Sequence, residues 1–469
     1  MSDPVLMDTY TTPRTTSKTA TVDSPLIVGG KLKDRHIAMI ALGGVIGAGL
    51  FVGSSAAIAS AGPAVLLTYV ATGLLVVLVM RMLGEMLLFR PGIGTFVDCI
   101  RAAHGGGAAF LAGWLYCLFW VVAVGAEAIA GAVIVQDWIA LPVWLLAPLL
   151  IVAVNLVNVI SVDLFGECEF WLSSIKVFSL LAFAALGVTA LTHLIGPAFS
   201  PIANLTAAHG PLPHGWGAAI AAVPTVLFSM IGSESATVAA AESENARDNL
   251  ARITRRIGLR LTLFYLLAIA FILTIVPWTT VRPGLSPFVT VMQALGVPGA
   301  TLAVSIVVFS AVVSCLNSSL YITSRTLFGL AEKGDAPRAF TVTNRRAVPQ
   351  RAVLAASAIG LAVAFSSILS PGIIFAFLLS ATGAVILLVY ALIVSAHWTM
   401  RRSDPSNPAF TLPFGPLPNI LIVLAIAAII VTMAFQPSQR STVFSSLGSV
   451  VLFVALYVLR RQRVKKDLP

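Results

Sequence analysis

The sequence predicts an all-α integral membrane protein of twelve transmembrane helices, built as two inverted repeats of five helices followed by two extra C-terminal helices. Of its 469 residues, 58% are hydrophobic and only 10% are charged, and the mean hydropathy is +0.96. Because a soluble domain carries roughly 25% charged residues, this composition indicates a bilayer protein. Two apolar segments are interrupted by glycine, proline and polar residues five spans apart, which predicts the repeat.

A membrane helix needs about 20 mainly apolar residues. On that criterion the spans lie near 37–58, 63–83, 108–132, 142–160, 170–194, 217–240, 257–278, 299–322, 352–369, 371–396, 418–435 and 442–460. The transmembrane domain, 36–460, divides into repeat one (36–196), repeat two (215–398) and the extra helices (417–460). Residues 1–35 are predicted as a disordered cytoplasmic tail, because no apolar run precedes Ile37, and 461–469 as a basic cytoplasmic tail.

The basic residues predict the orientation. Of the 29 Lys and Arg residues, 26 lie in the two tails and in the loops after spans two, six, eight and ten. Arg282 and Arg440 lie on the other side, and Lys176 lies within a span. This bias predicts twelve crossings of the plasma (inner) membrane with both termini in the cytoplasm. The same bias accounts for the net charge of +10, so we reject nucleic-acid binding as its explanation. The predicted loop 163–170 is an exception, since it has no basic residue.

Span one contains the stretch Ile40-Ala-Leu-Gly-Gly-Val-Ile-Gly-Ala-Gly-Leu-Phe-Val-Gly-Ser54, with five glycines. Each glycine costs a helix interior roughly 1 kcal/mol relative to alanine. We interpret the stretch as a helix that breaks near Gly47 and Gly49 and leaves backbone groups free, which a bilayer tolerates only beside a cavity or ligand. The alternative is close helix packing through small residues.

Span six contains Pro224, Gly232, three serines and Glu234 among apolar neighbours. A charge at the bilayer centre costs roughly 2.5–3.5 kcal/mol, and such residues mark pathways. The free N–H groups of a broken helix favour an anion and its free carbonyls favour a cation. One site with both ends suits a zwitterion, so the sequence predicts an amino acid as the substrate.

Two more charged residues lie within spans, Glu127 in span three and Lys176 in span five. With Glu234 they would cost roughly 8–10 kcal/mol if unpaired, so at least some must pair or face water. The alternatives are that Lys176 snorkels to the interface and that Glu127 only joins two helices.

No metal site or cofactor is predicted. The four cysteines form no CxxC pair and no zinc-like spacing with histidine. We interpret Cys117 and Cys315 as small apolar residues of membrane helices, and His209 and His214 as loop residues.

Several motifs carry a family resemblance. They are Ala61-Gly62-Pro63, Gly84-Glu85 with Pro91, Gly44-Val-Ile-Gly-Ala-Gly-Leu-Phe-Val-Gly53, Ala239-Ala-Ala-Glu-Ser-Glu244, and Ser314-Cys-Leu-Asn-Ser-Ser-Leu-Tyr321 with Ser324-Arg325. Together they resemble the amino acid permeases of the amino acid–polyamine–organocation superfamily. Within that family, Arg35-His36, Phe51-Val-Gly-Ser-Ser55 and Leu78-Val-Met-Arg-Met-Leu-Gly-Glu-Met86 are most similar to bacterial 4-aminobutyrate permeases.

The resemblance implies a five-plus-five (LeuT-like) inverted-repeat fold and proton-coupled uptake of 4-aminobutyrate or a similar small amino acid. It implies that backbone groups at Gly47 and Gly49 meet the substrate carboxylate, that Phe228 forms an aromatic lid and that Glu234 gates the site. Lys176 matches a lysine that takes the place of a sodium ion. The predicted substrate-binding residues are Gly44, Gly47, Ala48, Gly49, Phe228, Ser229 and Gly232, and the predicted gating or coupling residues are Lys176, Glu234 and Glu127.

The expected partners are the amino acid, a proton and the lipid bilayer, and the oligomeric state stays open. Glu85 and Glu242 are interpreted as partners of loop arginines. The alternatives are an amino acid exchanger, or a permease for proline, alanine, asparagine or an aromatic amino acid. A membrane enzyme or sensor is disfavoured, because the spans hold no HExxH motif, nucleophile elbow or phosphate-binding glycine loop.

Overall fold

The computed structural model describes residues 46–466 except 91–92, 161, 193, 195, 198, 209, 233, 235–261, 347, 406 and 410. The described residues are helices and connections, with no strand among them. Nine helical segments within these ranges are long and apolar enough to cross a membrane. Two shorter apolar helices, Gly215–Phe228 and Thr262–Ile275, lie where spans six and seven are predicted. The predicted tail 1–35 lies outside the described residues.

The first half of the chain has a π-helical turn, Gly49–Gly53, and nine α-helices: α1 Ser54–Ala61, α2 Val65–Phe89, α3 Phe96–His104, α4 Gly106–Gln136, α5 Val143–Ile160, α6 Val162–Leu191, α7 Pro201–Thr206, α8 Gly215–Ala221 and α9 Val223–Phe228. The second half contributes α10 Thr262–Ile275, α11 Pro287–Leu295, α12 Ala300–Glu332, α13 Gln350–Phe365, α14 Pro371–Ser403, α15 Leu417–Phe435 and α16 Arg440–Lys466.

The chain turns between α1 and α2 at Gly62. Its φ of +60° is a conformation that L side chains rarely adopt, and a Cβ there would lie 2.5 Å from Cγ of Pro213. Pro63 then starts a short 3-10 turn that leads into α2. Glycine is therefore required at this corner both for its backbone angle and for the close approach of the loop.

Helix α4 is the centre of the bundle, and α3, α5, α12, α13, α14 and α16 all pack on it. Small residues allow these close approaches. A Cβ on Gly125 would collide with Val363 of α13 and lie 3.0 Å from the carbonyl oxygen of Gly360. Such glycine contacts let helix backbones approach within a membrane. As a result, the polar residues of α4 lie in the middle of the protein, away from its lipid-facing surface.

The prediction of a loop at 163–170 is wrong, because these residues form the first turns of α6. The polar residues there suggested a loop between two spans. Glu169 is instead fully buried within the helix and accepts a hydrogen bond from Ser314 of α12. Its polarity therefore reflects a buried contact between two helices.

A buried polar network joins α2 to the later helices. His397 Nε2 lies 3.0 Å from Glu85 Oε2, and His397 Nδ1 lies 2.9 Å from Asn419 Nδ2. The other carboxylate oxygen of Glu85 accepts from the backbone N–H of Thr411 at 3.0 Å. Arg81 is farther, with Nε 3.8 Å from Oε1, so the predicted arginine partner of Glu85 is present but histidine and threonine bind closer. Glu242 lies outside the described residues.

A second network surrounds Asp335, in the connection after α12. Its carboxylate pairs with Arg101 of α3 and, at 2.6 Å, with Arg460 of α16. Its backbone carbonyl accepts from the indole N–H of Trp114 at 3.1 Å. One buried aspartate therefore joins α3, α4 and α16.

Candidate functional site

The first interruption lies at the start of the described chain. Ile46 and Gly47 form a bend, and the π-helical turn begins at Gly49. The N–H groups of Leu50 and Phe51 both donate to the carbonyl oxygen of Gly47, at 3.1 and 3.2 Å. Single π turns inside helices occur often at functional sites. Gly44, a predicted ligand, lies outside the described residues.

Glu127 binds this interruption from α4. Its Oε2 accepts a hydrogen bond from the N–H of Ala48 at 3.3 Å, and the residue is only 2% exposed. The N–H groups at the start of a helix favour an anion. The contact therefore stabilises the carboxylate, and it explains how a membrane helix accommodates this charge. Glu127 is thus more than a contact between two intact helices.

The second interruption is at the end of α9. The helix begins with Pro224 near its N-terminus and ends at Phe228, and residues 229–232 form turns with Gly232 at a φ of +112°. The hydroxyl of Tyr265 donates to the carbonyl oxygen of Ser229 at 3.0 Å. The hydroxyl of Ser229 donates to the carbonyl oxygen of Val226 at 2.6 Å. These two carbonyl groups are therefore satisfied within the protein.

The two interruptions are in direct contact. A Cβ on Gly49 would lie 2.6 Å from Ser229 Cα and 3.0 Å from Phe228 Cδ1. A Cβ on Gly47 would collide with Cys315 Sγ of α12. Glycine at these two positions therefore brings the backbone of span one against the end of α9 and against α12.

A small cavity lies at this meeting point. Its volume is about 290 Å³ including the open space at its mouth, but only about 20 Å³ admits the centre of a water molecule. That is room for about one water, so this conformation must widen before it takes an amino acid. The lining residues are Gly47, Gly49, Phe119, Trp120, Ala123, Glu127, Phe228, Ser229, Ile231, Cys315 and Ser319.

The structure brings five of the predicted site residues together at the cavity: Gly47, Gly49, Phe228, Ser229 and Glu127. Ala48 meets the cavity only through its hydrogen bond to Glu127. Gly232 and Glu234 do not line it.

Glu234 joins a contact of its own beside the cavity. Its Oε1 accepts from the hydroxyl of Tyr116 at 3.1 Å, and its Oε2 accepts from the N–H of Gly232 at 3.1 Å. The ring of Tyr116 lies edge-on to Trp120, with centroids 6.1 Å apart. This contact therefore connects the turn after α9 to the cavity wall on α4.

Lys176 is in a separate buried cluster on α6. Its Nζ lies 3.7 Å from Glu169 Oε1, and neither side chain has exposed surface. The snorkelling alternative for Lys176 is therefore wrong in this conformation. Ser314, which donates to Glu169 at 2.6 Å, directly precedes Cys315 of the cavity wall.

Sequence reasoning missed several wall residues. Trp120, Ala123 and Glu127 follow one face of a helix with spacings of three and four residues, so the helical period would have found the first two. The indole N–H of Trp120 is buried without a hydrogen-bond partner among the described residues. The sequence predicts Cys315 only as a small apolar residue of a membrane helix, yet it lies against Gly47 in the cavity wall. Ser319 lies one turn further along α12.

The electrostatic character of the cavity comes from one carboxylate, one indole donor and the backbone at the break. Within the described part of the chain, no three His, Cys, Asp or Glu side chains are grouped as they would be to hold a metal ion. If the cavity widens, this arrangement offers an opposite partner to each end of a small molecule that carries both an ammonium and a carboxylate group.

The chain is similar to known amino acid permeases over nearly its whole length. The model of the amino acid permease family matches residues 36–468. The chain is 38% identical to the gamma-aminobutyric acid permease of Bacillus subtilis (strain 168), covering 93% of this chain and 94% of that one. It is 40% identical to a probable GABA permease of Pseudomonas aeruginosa, covering 92% of each chain. It is 35% identical to the aromatic amino acid transport protein AroP of Salmonella typhimurium (strain SL1344), covering 88% of this chain and 91% of that protein.

Among solved structures, the fold is similar to that of a manganese transporter of Eremococcus coleocola. The TM-score is 0.54 at 14% sequence identity, and the similarity covers 97% of each chain. This likeness is one of fold.

Proposed function

Since the chain belongs to the amino acid permease family and is a multi-pass membrane transporter rather than an enzyme, we propose that it imports 4-aminobutyrate together with a proton. Import of amino acids follows from the family and from relatives that match nearly the whole chain. The choice of 4-aminobutyrate and the coupling to protons are our proposals. The observation that most supports these two proposals is a cavity beside the buried carboxylate of Glu127. It is lined by Gly47, Gly49, Phe228 and Ser229.

For the substrate, we assign the carboxylate end to the backbone at Gly44, Gly47, Ala48 and Gly49. The indole N–H of Trp120 adds a donor that is buried and unused in this conformation. The ammonium end is assigned to Glu127, which would exchange its hydrogen bond with Ala48 for the stronger contact with a cation. Phe228 and Ser229 close the other side of the site, and Gly232 allows the turn that ends it.

A small aliphatic substrate is supported by the size of the site. The ring centroids of Phe119 and Phe228 lie 5.6 Å apart at the cavity wall. The remaining space in the cavity holds about one water. A linear four-carbon chain needs less widening than an aromatic side chain. The relatives named for gamma-aminobutyric acid are also more similar to this chain than the aromatic transporter, at 38–40% against 35% identity.

For the architecture, we propose twelve crossings in two inverted repeats, 36–196 and 215–398, with the extra helices at 417–460 and both termini cytoplasmic. The 41-residue apolar run Gly49–Phe89 would make two crossings that meet at Gly62. The site then lies between span one and span six, and tilting of the helices would open it alternately to the two sides. Glu234 and Tyr116 are proposed to gate one side.

For coupling, we propose that Lys176 carries the transported proton. A buried lysine paired with a buried carboxylate changes the stability of its surroundings strongly when the pair loses a proton. Lys176 also interacts electrostatically with Glu127 in the cavity wall. A change of charge at Lys176 would therefore be felt at the substrate site.

The function is tested with purified protein in proteoliposomes and labelled 4-aminobutyrate. A gradient of about one pH unit supplies about 1.4 kcal/mol per proton, which sets a ceiling of about tenfold accumulation for one proton per substrate. We expect accumulation under a pH gradient, alkaline inside, and none driven by sodium. Uptake that follows sodium and ignores pH would refute the coupling.

Two further measurements sharpen this test. Competition by proline, alanine, asparagine and phenylalanine ranks the substrates, and stronger competition by phenylalanine would overturn the choice of 4-aminobutyrate. Lys176→Ala should abolish accumulation, whereas the matched control Lys333→Ala should not. Lys333 is 48% exposed in its ion pair with Asp98. It directly follows α12, about four helical turns beyond Ser319 of the cavity wall.

A further inference from the structure

The acidic partner of Lys176 is a buried carboxylate that the substrate site does not use. Glu169 and Lys176 lie seven residues apart on α6, which is about two helical turns, and both side chains are fully buried. A helical side chain leans toward the N-terminus of its helix. The lysine therefore reaches back to the carboxylate, and Nζ lies 3.7 Å from Oε1.

The two oxygens of Glu169 have different surroundings. Oε1 accepts from Ser173 at 3.0 Å and from Ser314 at 2.6 Å, and it is the oxygen next to Lys176. Oε2 is buried and has no hydrogen-bond partner among the described residues. The three contacts of Oε1 all come from donor groups. Oε2 nevertheless offers a place where a proton can bind without breaking a hydrogen bond.

Within the described part of the chain, the titratable groups that neighbouring helices place near this pair belong to α4 and α12. Helix α5, which packs on α6, has no titratable residue between Val143 and Ile160. On α4 and α12, the carboxylate of Glu127 and the thiol of Cys315 are the titratable groups near Lys176. Arg325 of α12 is three turns from Ser314 and stacks on the ring of Tyr321, 4.7 Å from its centroid.

The pair is connected to the cavity by one step along the chain. Ser314 donates to Glu169, and the next residue, Cys315, contacts Gly47 and lines the cavity. When Glu169 changes charge, the hydrogen bond from Ser314 weakens or strengthens. Because a close-packed interior transmits strain, we expect this change to reach the cavity wall.

We propose that Glu169 is the proton acceptor of Lys176 and therefore a coupling residue of the transport cycle, an inference that rests on the proposed symport. An N–H bond of the ammonium breaks as an O–H bond forms on the carboxylate, which leaves a neutral amine and a neutral carboxyl. The carboxyl then gives this proton to water on the side where the site releases substrate. The amine takes up a proton from the other side in the next cycle, so one proton crosses per turnover.

The test separates net transport from exchange. Counterflow of labelled 4-aminobutyrate against trapped unlabelled substrate needs the site and the conformational change but no net proton movement. Glu169→Gln keeps an oxygen that accepts from Ser173 and Ser314 and removes the charge. We expect accumulation under a one-unit pH gradient to fall by about tenfold, to the level without a gradient. We expect counterflow to stay within about threefold of the unmodified protein.

Two variants complete the experiment. Glu169→Asp keeps the carboxylate and should recover part of the pH-driven accumulation, with a shifted pH profile. Glu167→Gln is the matched control, because Glu167 is a half-buried carboxylate two residues away on α6, and it should behave as the unmodified protein.

Three results would overturn the inference. Glu169→Gln could accumulate substrate with an unchanged pH profile, or it could lose counterflow and accumulation together, which would make Glu169 a structural residue only. The third is a Glu169→Asp variant that recovers nothing although it is folded and exchanges substrate. Absence of pH-driven accumulation in the unmodified protein would instead refute the proposed symport, so the two failures are distinguishable.

Discussion

Replacing Gly49 with alanine should force apart the two interrupted segments and impair transport. The added Cβ would lie 2.6 Å from Ser229 Cα, 2.9 Å from Ser229 Cβ and 3.0 Å from Phe228 Cδ1. Carbon atoms pack best at about 3.5–4.0 Å, so the backbone at Ser229 would have to move by roughly 1 Å. A flexible side chain could turn away from such a contact, but a backbone atom cannot.

The size of the effect follows from this overlap. Overpacking a well-packed site costs about 1–3 kcal/mol. If the cost falls on the conformation in which the segments touch, that conformation becomes about 5- to 150-fold less populated. We therefore expect the maximal uptake rate of labelled 4-aminobutyrate to decrease by about 5- to 150-fold. The amount of folded protein in the membrane should change little.

The assay measures the initial uptake rate against substrate concentration in proteoliposomes with equal amounts of protein. Gly448→Ala is the control, because Gly448 is an exposed residue of α16 and a Cβ there meets nothing within 4 Å. A Gly49→Ala protein with the KM and maximal rate of the Gly448→Ala control would show that the contact with Ser229 has no part in the cycle.

Three further substitutions test the cavity wall and the contact of Glu234 beside it. Gly47→Ala should lower the uptake rate, because its Cβ would collide with the sulfur of Cys315 and lie 3.0 Å from Cys315 Cβ, which cannot turn away. Adding Cys315→Gly should restore part of the rate, and no recovery in this double variant would contradict the contact. Trp120→Phe removes an indole N–H that is buried without a hydrogen-bond partner among the described residues. If this N–H binds the substrate carboxylate, the KM should rise by about 10- to 150-fold. An unchanged KM would refute this assignment. Tyr116→Phe removes the hydrogen bond to Oε1 of Glu234, at a cost of about 1–3 kcal/mol. The initial uptake rate should therefore fall about fivefold or more. An unchanged rate would show that Tyr116 is not part of the gate.

The parts of the site that could be predicted are those that break a rule of membrane helices. Glycine and proline in an apolar span, and charged residues within one, are costly unless they have a use. This reasoning singled out Gly47, Gly49, Ser229 and Glu127, and the resemblance to amino acid permeases added Phe228. These five residues line one cavity.

The parts that could not be predicted are side chains that break no such rule. Phe119 and Cys315 are ordinary apolar residues of membrane helices, and only the packing of α4 against α12 makes them part of the wall. The polar residues at the start of α6, among them two closely spaced glutamates, predict a loop, whereas they form helix. Whether Glu169 faces lipid, water or a serine of another helix depends on contacts far apart in the sequence.

The position of Asp335 has a practical consequence for work on this protein. Arg460, near the end of the last apolar segment, holds one of its carboxylate oxygens, and Arg101 holds the other. A shortened chain that stops before 460 would leave a mostly buried acid with a single basic partner. Affinity tags and fluorescent fusions are therefore best attached after the final residue, with the whole basic stretch kept as a spacer.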